Sequence, residues 1–330
     1  MSKAKAKTQL KKAATAPTEK LKAEVKQLQT IIDTQAERID QLQAARNRGE
    51  LSAATVKPKR GAFFRVIVSD THGSYLCKKS AAAFLSDLAA LGNEVKEIVF
   101  TGDHLECGGF LSAHHTLSYI AESSYTFQDD IYAANGLLDS IFERAPRAVG
   151  HSHYIDGNHE RRIERWCLEQ AQRGATDGAY LLKSHGSKSN LHLDARKVSH
   201  YSQGKTYGGA DIAATIKLGA CWFLHGFSSA QNASAVVLRA IGDNCVFGHV
   251  HRTQQSSQWT TRGNCHAFCV GALCERVRLW HHDRPSQWST GYGLQLVDGS
   301  RAHAGEFLHV NVPIIDGVSL FGPLIRRLAR

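Results

Sequence analysis

Five short apolar runs, each followed at once by a cluster of Gly, Asp, Asn or His, constrain this chain more than any other feature. Phe63-Phe64-Arg65-Val66-Ile67-Val68 leads to Asp70-Thr71-His72-Gly73, and Ile98-Val99-Phe100-Thr101 leads to Gly102-Asp103-His104-Leu105-Glu106. Tyr154-Ile155-Asp156 leads to Gly157-Asn158-His159-Glu160. Cys221-Trp222-Phe223-Leu224 leads to His225-Gly226, and Cys245-Val246-Phe247 to Gly248-His249-Val250-His251. Such runs, rich in β-branched and aromatic residues, read as strands. Polar residues just past strand ends can share the crevice at the carboxyl edge of an α/β sheet, where ligands bind. For Asn158 a helix cap is the competing reading, because Asn is favoured there. The other four clusters supply partners for a common centre.

In chain order Asp-x-His, Gly-Asp-x-x-Glu, Gly-Asn-His-Glu, a lone His-Gly and Gly-His-x-His resemble the signature of the calcineurin-like metallophosphoesterases, over roughly residues 63–275. The resemblance implies an α/β fold of four layers: two packed mixed β-sheets flanked by helices, with two metal ions between the sheets. By position it puts Asp70, His72 and His251 on one ion and Asn158, His225 and His249 on the other, with Asp103 bridging the pair. His159 matches the catalytic histidine, which contacts substrate and leaving group without binding metal. The second motif departs from the Gly-Asp-x-x-Asp-Arg-Gly of the protein serine/threonine phosphatases, since Glu106, Cys107 and Gly108 stand where Asp, Arg and Gly would. Protein phosphatase activity is therefore disfavoured. Gly-Asn-His-Glu followed by arginines is more similar to the phosphodiesterase and nuclease branches, including stand-alone members in bacteriophage genomes.

The residue types fit that chemistry. Four His, two Asp and one Asn, without a thiolate, suit two divalent ions such as Mn, Fe, Zn or Co, with Mn favoured. His249 and His251 are two apart, as are Asp70 and His72, so on extended backbone each pair points one way. Two dications against two carboxylates leave a positive centre that attracts phosphate. A hydroxide bridging the ions would be the nucleophile. His159, with a reference pKa of about 6.5, would protonate the departing oxygen. Glu106 and Glu160 either orient ligand histidines or form structural salt bridges. Arg161 and Arg162, with Arg165, either grip a phosphate or form a solvated helix face. His104 adjoins Asp103 and is the remaining candidate for substrate contact. His114, His115, His151 and His153 have no slot in the motif.

Of the ten net positive charges, eight fall in the first sixty residues, so the basicity belongs to an appendage. Residues 1–17 read as a disordered basic tail, either solubilising or touching nucleic acid. From residue 18 to 48, Leu21, Val25, Leu28, Ile32, Ile39 and Leu42 form a heptad seam with Gln35 at the interrupted position. It predicts a coiled coil that makes a homo-oligomer, or one helix folded back on the body. Residues 49–61 read as a linker, 62–316 as the catalytic domain and 317–330 as a basic segment. Within the domain, helices are expected over Lys78–Leu91 and about Thr126–Arg144. Residues 173–208 read as a surface loop lining a substrate groove or a structureless insertion. Runs after Trp259 read as antiparallel strands completing the second sheet. No apolar stretch is long enough for a signal h-region or a membrane span, and eight Cys read as free thiols of a reducing cytoplasm. The expected activity is phosphoester hydrolysis, on a diester such as nucleic acid or a nucleotide. A small-molecule monoesterase and a catalytically silent nucleic-acid-binding scaffold stay open beside it.

Overall fold

The computed structural model describes residues 61–108, 125–174, 177–208, 210–261, 263–276, 286–299, 305–319 and 321–322. All belong to the second of two compact units, Ala53–Arg330. The tail, the heptad segment, nearly all of the linker, and His114 and His115 lie outside the described residues. In chain order the strands are β1 Phe63–Val68, β2 Val95–Phe100, β3 Ser152–Ile155, β4 Val198–Tyr201, β5 Ile216–Leu218, β6 Cys221–Phe223, β7 Cys245–Phe247, β8 Gln254–Thr260, β9 Gly263–Cys269, β10 Gly291–Val297, β11 Phe307–Ile315 and β12 Val318–Ser319. The longer helices are α1 Lys78–Leu91, α2 Phe127–Arg144, α3 Glu160–Gln172, α4 Gly178–His185 and α5 Ala233–Ile241.

Strand parity builds the layers. Val66 and Val68 of β1, Ile98 and Phe100 of β2, and Tyr154 of β3 pack with Phe84, Leu88, Leu137 and Ile141 of α1 and α2. The intervening Ile67, Val99 and Ile155 point the other way, as alternate strand residues must, and meet Phe223, Val246 and Phe268 of the second sheet. Beyond that sheet, Val237 and Leu238 of α5 cover Cys245, Phe247 and Ala267. The result is helix, sheet, sheet, helix, an α/β fold of two mixed sheets. Burying each large apolar side chain contributes roughly 1.5–3 kcal/mol.

The first sheet has the order β12-β11-β10-β1-β2-β3-β4 and the second β5-β6-β7-β9-β8. β1 to β4 run parallel, as do β6, β7 and β9, so their carboxyl ends share one edge of each sheet. Two expectations need correction. Only β8 and β9 of the late strands join the second sheet; β10 to β12 return to the first, β10 pairing antiparallel with β1. Residues 173–208 hold α4, a helical turn at Ser187–Asn190 and the edge strand β4, not a loop. Leu191 and Leu193 are fully buried there, which anchors a stretch that is polar by composition. Val318 also pairs with Ile315, so the sheet continues past residue 316.

A polar cluster interrupts the layer between the sheets. Arg65 donates from Nε to Glu97 Oε2 and from NH1 to Gln295 Oε1 at 2.9 Å, with its guanidinium 5.2 Å from the Phe223 ring. Both ions are 97% buried or nearly so, at 3% exposure each. All eight cysteines are free, and no described helix is long and apolar enough to cross a membrane.

Candidate metal centre

Each expected ligand lies two to four residues past a strand: Asp70 and His72 after β1, Asp103 after β2, Asn158 after β3, His225 after β6, His249 and His251 after β7. Backbone hydrogen bonds lace these loops together. Asp70 N donates to Gly102 O at 3.1 Å, His72 N to Asp103 O at 2.9 Å, and Gly248 N to His225 O at 2.9 Å. The crowding explains two of the glycines. A Cβ on Gly157 would sit 2.1 Å from Asp103 Oδ1, and one on Gly248 would sit 2.5 Å from Asp70 Oδ2.

Five of the candidate ligands carry positive φ: Asp70 at 51°, His72 at 52°, Asp103 at 53°, His249 at 73° and His251 at 53°. Asp and His tolerate this region better than most residues, yet such backbone costs on the order of 1 kcal/mol or more per residue and gathers at functional sites. The strain is concentrated where the side chains converge.

Asp70, His72, Asp103 and His251 form one group of donor atoms, and Asp103, His225 and His249 form another. Asp103 belongs to both. His225 Nδ1 is 2.8 Å from the Thr101 carbonyl oxygen, which can only accept, so that nitrogen carries the hydrogen. In neutral imidazole Nε2 is then a bare lone pair. It faces Asn158 Oδ1 at 2.9 Å, Asp103 Oδ2 at 3.2 Å and His249 Nδ1 at 3.2 Å. On the other side Glu106 Oε2 takes the Nδ1 hydrogen of His72 at 2.7 Å, leaving its Nε2 lone pair 3.0 Å from His251 Nε2. His251 Nε2 is also 3.2 Å from Asp70 Oδ1. Where these nitrogens are deprotonated, acceptors face acceptors, a convergence that either protons or a bound cation can relieve. The donor set fits a divalent ion, and each anchored histidine has the outer hydrogen bond that metal-ligating imidazoles use.

The protonation balance agrees. Burial alone would raise the carboxyls, but His251 beside Asp70, and His159 and His225 beside Asp103, hold both well below the usual range. Burial alone would depress the imidazoles, but Asp103 lifts His225 to about 9 and Asp70 lifts His251 to about 10. Without a metal, protons supply the positive charge that the carboxylates attract. His249 is lowered by burial and by the neighbouring His225.

The remaining expected residues separate. Burial drops His159 to about 3; its Nδ1 donates to Glu106 O at 2.7 Å, and Arg162 NH2 lies 3.0 Å from its Nε2. Arg162 also donates to Glu106 O at 2.9 Å, whereas Arg161 is exposed on α3. Among the described residues Glu160 pairs with backbone amides and a tyrosine hydroxyl, not with a histidine ring. Its Oε2 accepts from Asp103 N at 2.9 Å and Gly157 N at 2.8 Å, and its Oε1 from His104 N at 2.8 Å, Leu105 N at 3.1 Å and Tyr154 OH at 2.9 Å. His104 is 3% exposed, its ring 5.2 and 5.3 Å from those of Phe100 and Tyr154. Packed among aromatics, it is closed to substrate.

Asp130 was not among the expected site residues. Its Oδ1 accepts from Ser74 N at 3.0 Å, and its Oδ2 from Glu106 N at 2.9 Å, Cys107 N at 3.1 Å and Tyr125 OH at 3.2 Å. It ties the loop after His72 to the loop after Asp103. A signal existed: Asp130 lies on the same helical stripe as Ala134, Leu137 and Ile141, all buried. Cys274, 4.0 Å by Sγ from His251 Nδ1, and Trp288 left no such trace.

No family model matches the sequence, and no curated protein does. Among solved structures, a mutant of a cold-active protein tyrosine phosphatase is 13% identical with a TM-score of 0.36, covering 79% of this chain and 84% of that one. A hypothetical protein from Pyrococcus horikoshii is 12% identical with a TM-score of 0.34, covering 76% and 88%.

Proposed function

We propose that this chain is a phosphoester hydrolase that holds two divalent metal ions, Mn favoured, and prefers diesters. The observation that carries the reading is Asp103, one buried carboxylate common to two groups of donor atoms. In this reading Asp70, His72 and His251 complete one ligand set and Asn158, His225 and His249 the other. The ions supply Lewis acidity toward phosphoryl oxygens and activate water. Glu106 and the Thr101 carbonyl hold His72 and His225 in the tautomer that offers Nε2.

His159 and Arg162 form the substrate-facing pair. His159 is neutral at pH 7, with its hydrogen on Nδ1. Donating to a leaving oxygen from Nε2 requires a second proton on the ring. An anionic phosphate arriving beside Arg162 draws the guanidinium from Nε2 and raises the ring's proton affinity. Residues 18–48 make the homo-oligomer, and the basic tail adds affinity for nucleic acid; deleting residues 1–60 weakens both and spares hydrolysis of small substrates.

The test is hydrolysis of bis-p-nitrophenyl phosphate and p-nitrophenyl phosphate by metal-stripped protein to which Mn is returned, with Asp103→Asn alongside. Faster diester cleavage that needs Mn and disappears in Asp103→Asn is the expected result. Monoester preference would replace the diesterase with a phosphatase, and Mn binding without turnover of either ester would leave a binding protein.

A further inference from the structure

One aromatic ring packs directly on the donor cluster. Trp288 packs against His251 with ring centroids 4.1 Å apart and planes at 71°. Its loop is fixed to the His251 segment by Ser289 N donating to His251 O at 2.7 Å and by Thr253 N donating to Ser289 Oγ at 2.7 Å. Arg252, next in sequence to His251, reaches Gln287 Oε1 with NH1 at 3.1 Å and Ala230 O with NH2 at 3.1 Å. It thereby ties the Trp288 loop to the loop that follows His225, on which Phe227 is 48% exposed. Trp288 itself remains partly exposed. The partly exposed Trp288 and the exposed Phe227 thus lie on two loops that Arg252 joins beside the donor cluster. A rigid indole there offers a flat surface to whatever group the phosphate carries.

We propose that Trp288 is the platform on which a nucleobase of the substrate stacks, so that the preferred diester is a nucleotide one. The inference rests on the hydrolase reading above. Stacking on an aromatic side chain tolerates any base, because every base has a π-face, and it needs no hydrogen-bond code. Arg252 holds the platform in place and adds positive charge along the path of the phosphate backbone. A small aliphatic phosphodiester reaches the same ions but finds nothing to stack.

The p-nitrophenyl ester of thymidine 5′-monophosphate and p-nitrophenyl ethyl phosphate share a leaving group and differ in carrying a nucleoside or an ethyl group, and the Trp288 variants report the share of the difference that belongs to the base. Wild type is expected to prefer the thymidine ester in kcat/KM. In Trp288→Leu that preference falls by roughly 5- to 150-fold, the span for one base on one aromatic ring. Trp288→Phe, which keeps a ring, retains most of it. The dissociation constants of thymidine 5′-monophosphate and inorganic phosphate must move apart and together in the same way. Equal losses on both esters, with the ratio kept, would make Trp288 a mere support for His251 and overturn the inference while leaving the hydrolase standing. Failure of wild type to cleave either ester would remove both.

Discussion

Glu160→Gln changes one atom and should damage both the fold and the metal centre. Oε2 of Glu160 accepts from two backbone amides, and Oε1 from two more and from the Tyr154 hydroxyl. A glutamine must place its NH2 at one of the two positions. In the cheaper orientation the amides of Asp103 and Gly157 meet a donor in place of an acceptor; in the other, three donors do. A buried donor left unsatisfied costs about 1–3 kcal/mol, so the cheaper orientation costs roughly 2–6 kcal/mol, and flipping the amide brings no relief. Burial, with Asp103 and Asp156 nearby, raises the Glu160 pKa to about 7. The comparison is therefore made at pH 8, where the wild-type carboxyl is ionised.

The unfolding midpoint should drop by on the order of 10 °C, and Mn affinity by at least about tenfold, because the loop carrying Asp103 loses its anchor. Differential scanning calorimetry and a chelator competition read the two effects. Glu169→Gln, an exposed position on the same helix, is the control and should stay within about 0.5 kcal/mol. A Glu160→Gln protein within that same margin would show that the five donors find other partners, and the argument from Glu160 would fail.

Three further outcomes follow from the same geometry. Without metal His225 and His251 titrate at about 9 and about 10, so both are protonated at pH 7 and must shed protons to bind a cation. Mn affinity should rise with pH between about 7 and 9 with a slope of up to about two, read by competition titration, and a flat profile would refute the ligand assignment. Glu97→Ala leaves Arg65 charged and unpaired in the layer between the sheets, costing about 3–5 kcal/mol by urea unfolding. Arg65 outweighs the effect of burial and lowers Glu97 from 4.5 to about 2. Its stabilisation is thus complete above pH 4.5 and lost as pH falls toward 2. Asp130→Asn can keep its carbonyl on the Glu106 and Cys107 amides and orphan only Ser74 N, so it should cost about 1–3 kcal/mol, whereas Asp130→Ala orphans all four donors and should cost more than twice as much in the same assay.

Which of these features the chain announces depends on how far their causes reach. A glycine before Asp103, Asn158 and His249, after an apolar run, is a local pattern; its cause is the press of neighbouring loops at the strand ends, backbone at Gly102 and Gly157 and the Ser69 and Asp70 side chains at Gly248, and the ordered set is legible without a structure. Helix α1 was equally readable, because a buried stripe of Phe84, Leu88 and Leu91 needs only its own periodicity. The destination of β10 to β12 was not, since an alternating strand satisfies either sheet and only pairing with β1 decides. Nor was α4 to β4, where Leu191 and Leu193 bury themselves amid residues that read as loop. For the two carboxylates Glu160 and Asp130, it was the partners that a degeneracy hid. An acid in the first turn of a helix is favourable toward the macrodipole, whether it points to water or to a neighbouring loop. What selects the inward direction is the run of backbone amides at residues 103–107, supplied by the loop after a different strand. His104 shows the converse. It follows Asp103 directly, and its ring lies with Phe100 and Tyr154 on the helix side of the sheet while Asp103 serves the donor groups. Adjacency to a ligand is therefore poor evidence of a shared role: Asp70, His72 and Asp103 all lie past their strands on positive-φ backbone, so the turn that follows each strand, and not strand alternation, sets where each side chain goes.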